Sequence, residues 1–511
     1  MMLGEIAEAL IPDQAAVLAS MGLSKTEPAG FSIDSRTIKA GDVFFAIKGL
    51  NSDGHQFAFQ ALEKGAIAIV VERGSRLPEE ITRNLAGIDA GNKSPGLFAA
   101  EAPASGPGGT TQGRAPIPAQ ACVIQVEDTL NALQALAAKV IRDWRGREVA
   151  ITGSAGKTTT KDITAGVMSL SSRTLRSAGN LNNQYGLPLS ILKMESAGSH
   201  AADYDFAILE MGMNHAGELA RLTEIAPPHI GVVTNVNAAH LEFFSSIDAI
   251  AEAKSELVSG IRPGGWAVLN ADDPRVIRMR NLRQDLNLRT FGLEHDADVQ
   301  AKQVRDKGLA GTAFELTTKT GSIDAQLALV GRHNLYNTLA AAAVAEICGM
   351  RLEEIAAGIA ACASSKMRGE ILRFREGFTI VDDSYNSNPA AMRALVAAAA
   401  GRPGRLIVVA GEMLELGSEA PRLHMETGAY IAKQQAGLLI GVRGLARDLV
   451  EGAIRSGLPA SRAIFTDTAE EAADILARQV AEGDIVLIKG SRGVRMETIV
   501  DAIKLRFDVL G

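Results

Sequence analysis

An apolar, strand-like lead, Val149-Ala-Ile151, runs into Thr152-Gly-Ser-Ala-Gly-Lys-Thr-Thr-Thr160, and helix-compatible Lys161-Asp-Ile-Thr-Ala-Gly-Val167 follows. Strand, glycine-rich turn and helix in that order make a phosphate cradle. Gly153 and Gly156 let backbone N–H groups converge on phosphate oxygens, with Ser154 and Ala155 between them. Lys157 adds a point charge, and Thr158, ahead of Thr159, offers a hydroxyl to a magnesium ion. The loop is a shortened GxxGKT form: the common pattern has a further glycine where this chain has Ile151. An ordinary glycine turn carrying a lysine would not need the lead strand, the Lys-Thr pair and the following helix together.

The chain has 511 residues, too many for one ordinary core, so two to four domains are expected. Hydrophobic content of 47% and charged content of 22% are globular, and a net charge of −7 excludes bulk attraction to nucleic acid. Cys122, Cys348 and Cys362 form neither a CxxC pair nor a disulfide framework, which points to a reducing compartment. Glu5, Glu8 and Asp13 make the N-terminus unlike a signal peptide, and no long uncharged apolar stretch is present to span a membrane. A cytoplasmic protein is expected.

Residues 1 to about 145 read as a small α/β domain. Leu3–Leu10 and His55–Lys64 read as helices, and Gly41–Gly49, Ala66–Val71 and Cys122–Val126 as strands. A helix capped by Asp128 follows. The polar stretch Phe31–Ile38 reads as a turn, in which Asp34, Ser35 and Arg36 suit a phosphorylated or carbonyl-bearing ligand, or else a solvated turn with an internal ion pair. Residues 91–120 hold six glycines and five prolines and read as a mobile surface insertion.

From about 146 to 365 the pattern is again α/β. Gly179–Pro188 is a long polar loop, and Glu210 ends the strand beginning near Tyr204. A carboxylate there faces the ligand crevice of a parallel sheet and suits magnesium, or else is a solvent-exposed strand-end carboxylate. His240 follows the strand His229–Val236, and Lys254 lies in the helix Ile250–Leu257, either beside phosphate, or modified into an anion, or as a surface lysine in a charge mix. Asn270 and Asp272 end another strand, where they suit hydrogen bonds to a nucleotide. Residues 296–329 alternate in polarity like strands. Asn334 and Asn337 share one face of an alanine-rich helix, suitable for a base edge.

The last segment, 366–511, alternates strands and helices as a mostly parallel sheet does. Arg368 sits at a hinge-like entry. The loops Asp383–Asn388 and Lys489–Arg495 lie at strand ends, with Arg492 and Arg495 as candidate anion clamps, or surface arginines.

These motifs together resemble the ATP-dependent Mur ligases. The matching stretches are Gly153–Thr159, Gly179–Leu187, Glu210–His215, Thr234–His240, Glu252–Glu256, Gly331–Asn337, Arg368 and Lys489–Arg492. Asp383–Met392 and Lys489–Glu497 look like the branch that joins D-alanyl-D-alanine to UDP-N-acetylmuramoyl-tripeptide. The Asp-Asn-Pro-Arg or Asp-Asn-Pro-Asn motif of the third-residue-adding branch is absent. The resemblance implies three α/β domains: a UDP-sugar-binding domain (1–145), a central P-loop, ATP-binding domain with a parallel sheet (146–365) and a Rossmann-like ligase domain (366–511). It implies ATP and magnesium as cofactors and an acyl-phosphate route; a monomer is expected.

By the same resemblance the loop Gly153–Thr159, and Lys157 above all, holds the ATP phosphates. Thr158 and Glu210 bind one magnesium, and His240 with a carbamylated Lys254 sits at a second. Asn334 and Asn337 face adenine or nearby phosphate, Arg368 reaches phosphate and Asp383 the ribose. Ser35 and Arg36 meet the uridine diphosphate, and Asn182, Asn386, Asn388 and Arg492 face substrate. The alternatives are a third-residue-adding ligase, a folate polyglutamate ligase, or a nucleotide-gated binding module without ligase activity. The guanine-selecting Asn-Lys-x-Asp motif is missing.

Overall fold

The computed structural model describes residues 1–12, 22–49, 52–76, 97–100, 121–179, 181–196, 198–237, 243–362 and 366–510. Among the described residues are three sheets of five, nine and six strands in chain order. Two compact units divide the chain, one of residues 1–149, 172–211 and 220–228, the other of 150–171, 212–219 and 229–511.

In the first unit, Gly30–Ser32, Asp42–Phe45, Ala68–Glu72 and Ala121–Val126 lie side by side in parallel. Phe44, Leu62, Ile69, Val71 and Val123 form the core over which Ala58–Glu63 packs. Helix Thr129–Asp143 starts as expected at Asp128, whose carboxylate accepts from Asn131 N at 2.7 Å. Two expectations need correcting. Gly30–Ser32 is a strand, because pairing with Asp42–Phe45 satisfies a backbone that local composition leaves turn-like. Within the glycine- and proline-rich stretch, Leu97–Ala100 pairs antiparallel with Ala121–Val126. The rest of 91–120 lies outside the described residues.

In the second unit, Ile230–Val233, Trp266–Asn270, Asn287–Gly292 and Val299–Asp306 run parallel, and Thr312–Thr318 and Gly321–Leu327 continue as an antiparallel meander. The six-stranded sheet runs Glu370–Arg373, Thr379–Asp383, Ile485–Lys489, Leu406–Gly411, Leu438–Val442, Ala463–Thr466, parallel apart from its first strand. Its central strands, Ile485–Lys489, Leu406–Gly411 and Leu438–Val442, are buried on both faces. Leu406, Val408 and Ala410 enter one core while Ile407 and Val409 enter the other, which is why the sequence reads as continuous apolar runs. Among the described residues no helix is long and apolar enough to cross a membrane.

Candidate functional site

The strand Arg147–Thr152 delivers the chain into the loop 153–156, and helix Lys157–Met168 begins at once. Gly156 caps that helix with φ +83°. A Cβ on Gly156 would lie 2.2 Å from Asn337 Oδ1, and one on Gly153 would lie 1.9 Å from Thr234 Oγ1. Glycine is therefore required by packing as well as by backbone angle.

The loop is braced by a segment about eighty residues downstream. Ser154 N donates to Asn235 O at 2.9 Å, and Ala155 N to Asn235 Oδ1 at 2.9 Å. Thr234 Oγ1 and Asn235 Nδ2 donate to Ala155 O at 2.7 and 3.0 Å. Ser154 Oγ exchanges hydrogen bonds with the Asn237 backbone at 3.1 and 2.9 Å. Ser154 and Ala155 thus hold the loop's shape, while the first-turn N–H groups at Lys157, Thr158 and Thr159 lie at the helix start, where anions are favoured. Lys157 Nζ donates to Gly153 O at 2.8 Å, so the cation lies across the loop. Thr158 is buried.

Asn334 and Asn337 share a helix face, as expected, but that face is buried against the P-loop helix. Asn334 Nδ2 donates to Val330 O at 2.8 Å, Asn337 Nδ2 to Asn334 Oδ1 at 3.2 Å, and Thr160 Oγ1 to Asn337 Oδ1 at 3.2 Å. Both amides brace the cradle from behind.

Lys254 is only 1% exposed, so it is not a surface lysine. Helix Ile247–Ser259 buries Ile250, Ala253, Lys254, Leu257 and Val258, a single stripe into which the lysine is set. Burial, and after it the Lys157 cation, push its ammonium well below the usual lysine range. The two lysines expected at the site are thus brought together. His240 lies outside the described residues.

Next to the loop, Asn237, Asn270, Asp272, Arg275 and Tyr336 line an open polar cleft of about 310 Å³. Asp272 accepts from the backbone of Leu293, Glu294 and His295 at 2.6, 3.0 and 2.7 Å and from Tyr336 Oη at 2.9 Å. These bonds, with the His295 ring, outweigh burial and hold its carboxyl below the usual range. Asn270 Nδ2 donates to Thr234 O at 2.9 Å, tying the cleft to the loop brace.

In the C-terminal sheet, Lys489 Nζ meets Asp383 Oδ2 at 2.5 Å and Asn386 O at 2.8 Å. The Tyr385 ring carries the Arg368 guanidinium at 3.9 Å and that of Arg492 at 5.8 Å. Arg492 also pairs with Glu497 at 2.9 Å. Asn388 caps the helix Pro389–Ala399 through Ala391 N at 2.8 Å, and Asn386 accepts from Ser387 N.

The remaining candidates belong to the first unit. Glu210, 2% exposed, accepts from Asn182 Nδ2 at 2.8 Å, and its N–H donates to Ser177 Oγ at 2.8 Å. Ser35 donates to Gln60 Oε1 at 2.9 Å. Arg36, 85% exposed at its side chain, grips Asp34 through Nε and Nη2 at 2.9 and 2.7 Å. That pair is the internal ion pair left open by the sequence. Sequence reasoning does not single out Thr234, Asn235 or Tyr336 as site residues, although the polar run after the strand Ile230–Val233 is a usable signal.

Three family profiles match this chain: the Mur ligase family catalytic domain over residues 28–96, the Mur ligase middle domain over 151–345, and the Mur ligase glutamate ligase domain over 367–492. The UDP-N-acetylmuramoyl-tripeptide–D-alanyl-D-alanine ligase of Escherichia coli is 33% identical over 476 residues, 92% of each chain. Among solved structures, MurF from Acinetobacter baumannii aligns with a TM-score of 0.78 and 28% identity over 98% of each chain. MurF ligase from Thermotoga maritima, solved in complex with ADP, aligns with a TM-score of 0.73 and 27% identity over 94% of this chain and 97% of that one. The three-domain α/β architecture is the one expected from the sequence. With its P-loop, its buried lysine and matches spanning nearly its whole length, the chain belongs to the Mur ligase family, the ATP-dependent amide-bond ligases of peptidoglycan synthesis.

Proposed function

We propose that the chain joins D-alanyl-D-alanine to the terminal carboxylate of UDP-N-acetylmuramoyl-tripeptide through an acyl phosphate. The observation that carries this step, rather than another Mur step, is the 33% identity across 92% of both chains to the E. coli ligase of that name. The Asp383–Met392 stretch, whose first residue pairs with Lys489, supports it. We further propose domain boundaries near residues 146 and 366, a cytoplasmic location and a monomer.

A carboxylate is a poor electrophile, and ATP with magnesium supplies the phosphoryl group that activates it. The residues of the cradle fit the phosphates. The cradle at Gly153 and Gly156 has no room for a Cβ, and Lys157 and the Thr158 hydroxyl lie at a helix start. The loop Gly153–Thr159 would hold the phosphates, with Ser154 and Ala155 setting its shape. Thr158, Glu210, His240 and a carbamylated Lys254 would be metal ligands. Burial favours the neutral Lys254 amine, the form that adds carbon dioxide: a nitrogen–carbon bond forms, a proton leaves, and a carboxylate-like anion remains. That anion would offset the Lys157 cation beside it.

The cleft at Asn270, Asp272 and Tyr336 would take the nucleoside, with Asn334 and Asn337 keeping the cradle in place behind it. Asp383 would meet ribose, and Arg368, stacked on Tyr385, phosphate. Ser35 and Arg36 would meet the uridine diphosphate. Asn182, Asn386, Asn388 and Arg492 would orient substrate.

The test is ADP release with UDP-N-acetylmuramoyl-tripeptide while the second substrate is varied. D-alanyl-D-alanine should support turnover, and single amino acids should not. Turnover of UDP-N-acetylmuramoyl-dipeptide with a single amino acid would instead establish the third-residue-adding ligase. ADP release with no acceptor at all would establish a nucleotide-gated module.

A further inference from the structure

Gln134 lies in the helix Thr129–Asp143, 3% exposed and outside the stretches that carry the family resemblance. Its Oε1 accepts from Arg221 Nε and Nη2 at 3.2 and 3.0 Å, and its Nε2 donates to Gln184 O at 3.1 Å. The orientation of the amide follows from chemistry. A guanidinium only donates and a carbonyl only accepts, so the amide oxygen must face Arg221 and the amide nitrogen must face Gln184. Arg221 is itself held by Asn131 Oδ1 at 3.3 Å and Glu224 at 3.1 Å.

The loop beyond Gln184 is tightly tied. Asn183 Oδ1 accepts from Tyr185 N and Gly186 N at 3.2 and 3.0 Å, and Asn183 O accepts from Leu187 N at 2.9 Å. A Cβ on Gly186 would lie 2.5 Å from Leu181 Cα, so the turn closes on itself. Two residues before Gln184, Asn182 delivers its amide to Glu210 Oε1 at 2.8 Å. These bonds and the close approach of Gly186 to Leu181 join Gln184 and Asn182 within one closed turn.

We propose that Gln134 is a positioning residue: anchored by Arg221, it holds the 182–187 loop so that Asn182 aims the Glu210 carboxylate. The consequence for metal binding rests on the reading of Glu210 as a magnesium ligand. Groups that orient a ligating carboxylate tune its affinity.

The test uses the full chain with Gln134→Glu, Gln134→Leu and Arg221→Met. Gln134→Glu keeps an acceptor for Arg221 and loses the donor to Gln184. Two readouts separate positioning from plain stability: hydrogen exchange of the Tyr185, Gly186 and Leu187 amides, and Mn²⁺ affinity in the presence of ADP. Both Gln134 variants should speed exchange in the loop while the strand Arg147–Thr152 keeps its protection. They should weaken Mn²⁺ about tenfold, with ADP affinity in the absence of metal unchanged. Arg221→Met should act in the same direction but less, since the bond to Gln184 survives. A lowered melting temperature with loop exchange and Mn²⁺ affinity untouched would overturn the proposal. If Gln134→Leu does not fold, Gln134→Glu decides. Wild-type protein that binds no Mn²⁺ with ADP would overturn the metal reading of Glu210, and the exchange rates would then decide the loop contact by themselves.

Discussion

Asp382 is a buried carboxyl beside the proposed ribose residue, and replacing it by asparagine should stabilise the protein. Its side chain is drawn into the core of the C-terminal sheet, 3% exposed. Burial pushes its pKa from 3.8 up to about 6, the hydrogen bond from Ser384 N opposes this, and the charges of Glu370 and Asp383 add to the rise. A raised folded pKa means that the native state binds the proton more tightly than the unfolded chain. The carboxylate therefore costs stability at high pH, and the cost is relieved as pH falls. At about pH 8, both forms ionised, the shift of about two units corresponds to about 3 kcal/mol. At about pH 5 the native carboxyl is mostly protonated, and the penalty should fall to about 1.6 kcal/mol. The amide oxygen introduced by Asp382→Asn could still accept from Ser384 N, which lies 3.1 Å from the carboxylate Oδ1. The new N–H groups would face the same negative charges that raise the pKa. Urea unfolding of wild type and Asp382→Asn, followed by circular dichroism between about pH 5 and 8, measures the difference. A gain that is absent at about pH 8, or equal at both ends of the range, would refute the assignment of a raised carboxyl.

Three further outcomes are expected. Lys254→Ala should lose most activity with the fold intact, and acetate should restore part of the rate by filling the vacated ligand position; full activity without rescue defeats the carbamate. Gly156→Ala combines a φ of +83° with a Cβ 2.2 Å from Asn337 Oδ1, and should cost about 2 kcal/mol or more in stability and raise KM for ATP; wild-type behaviour in both assays would show that the loop is soft. His424 is buried with Nε2 accepting from Met413 N at 2.9 Å and Nδ1 on Ala420 O at 2.7 Å, and burial holds its pKa below the ordinary value. Its contribution is complete above about pH 6.5 and lost as the unfolded chain protonates below that. His424→Gln should flatten the fall in melting temperature between about pH 6.5 and 5, and an unchanged slope counts against this reading.

Local features were legible in the chain alone. Strand, glycine turn and helix at 147–168 are dictated by neighbours in sequence, as are the Asp128 cap and the double-sided apolar runs of the C-terminal sheet. Lys254 stood between the two cases. Its helix alternates polar and apolar residues as a surface helix does, yet Ile250, Ala253, Leu257 and Val258 place position 254 inside the apolar stripe. Whatever depends on partners remote in sequence needed the folded molecule. Thr234 and Asn235 brace a loop some eighty residues earlier, Asn337 packs against Gly156 and Thr160, and Gln134 reaches Gln184. Gly30–Ser32 and Leu97–Ala100 became strands because a neighbouring strand offered hydrogen bonds that their own composition could not signal. A side chain's intrinsic preferences act over one or two turns of chain. Burial, and with it the lowered pKa of Lys254 and the raised carboxyl of Asp382, exists only once distant segments have excluded water around it.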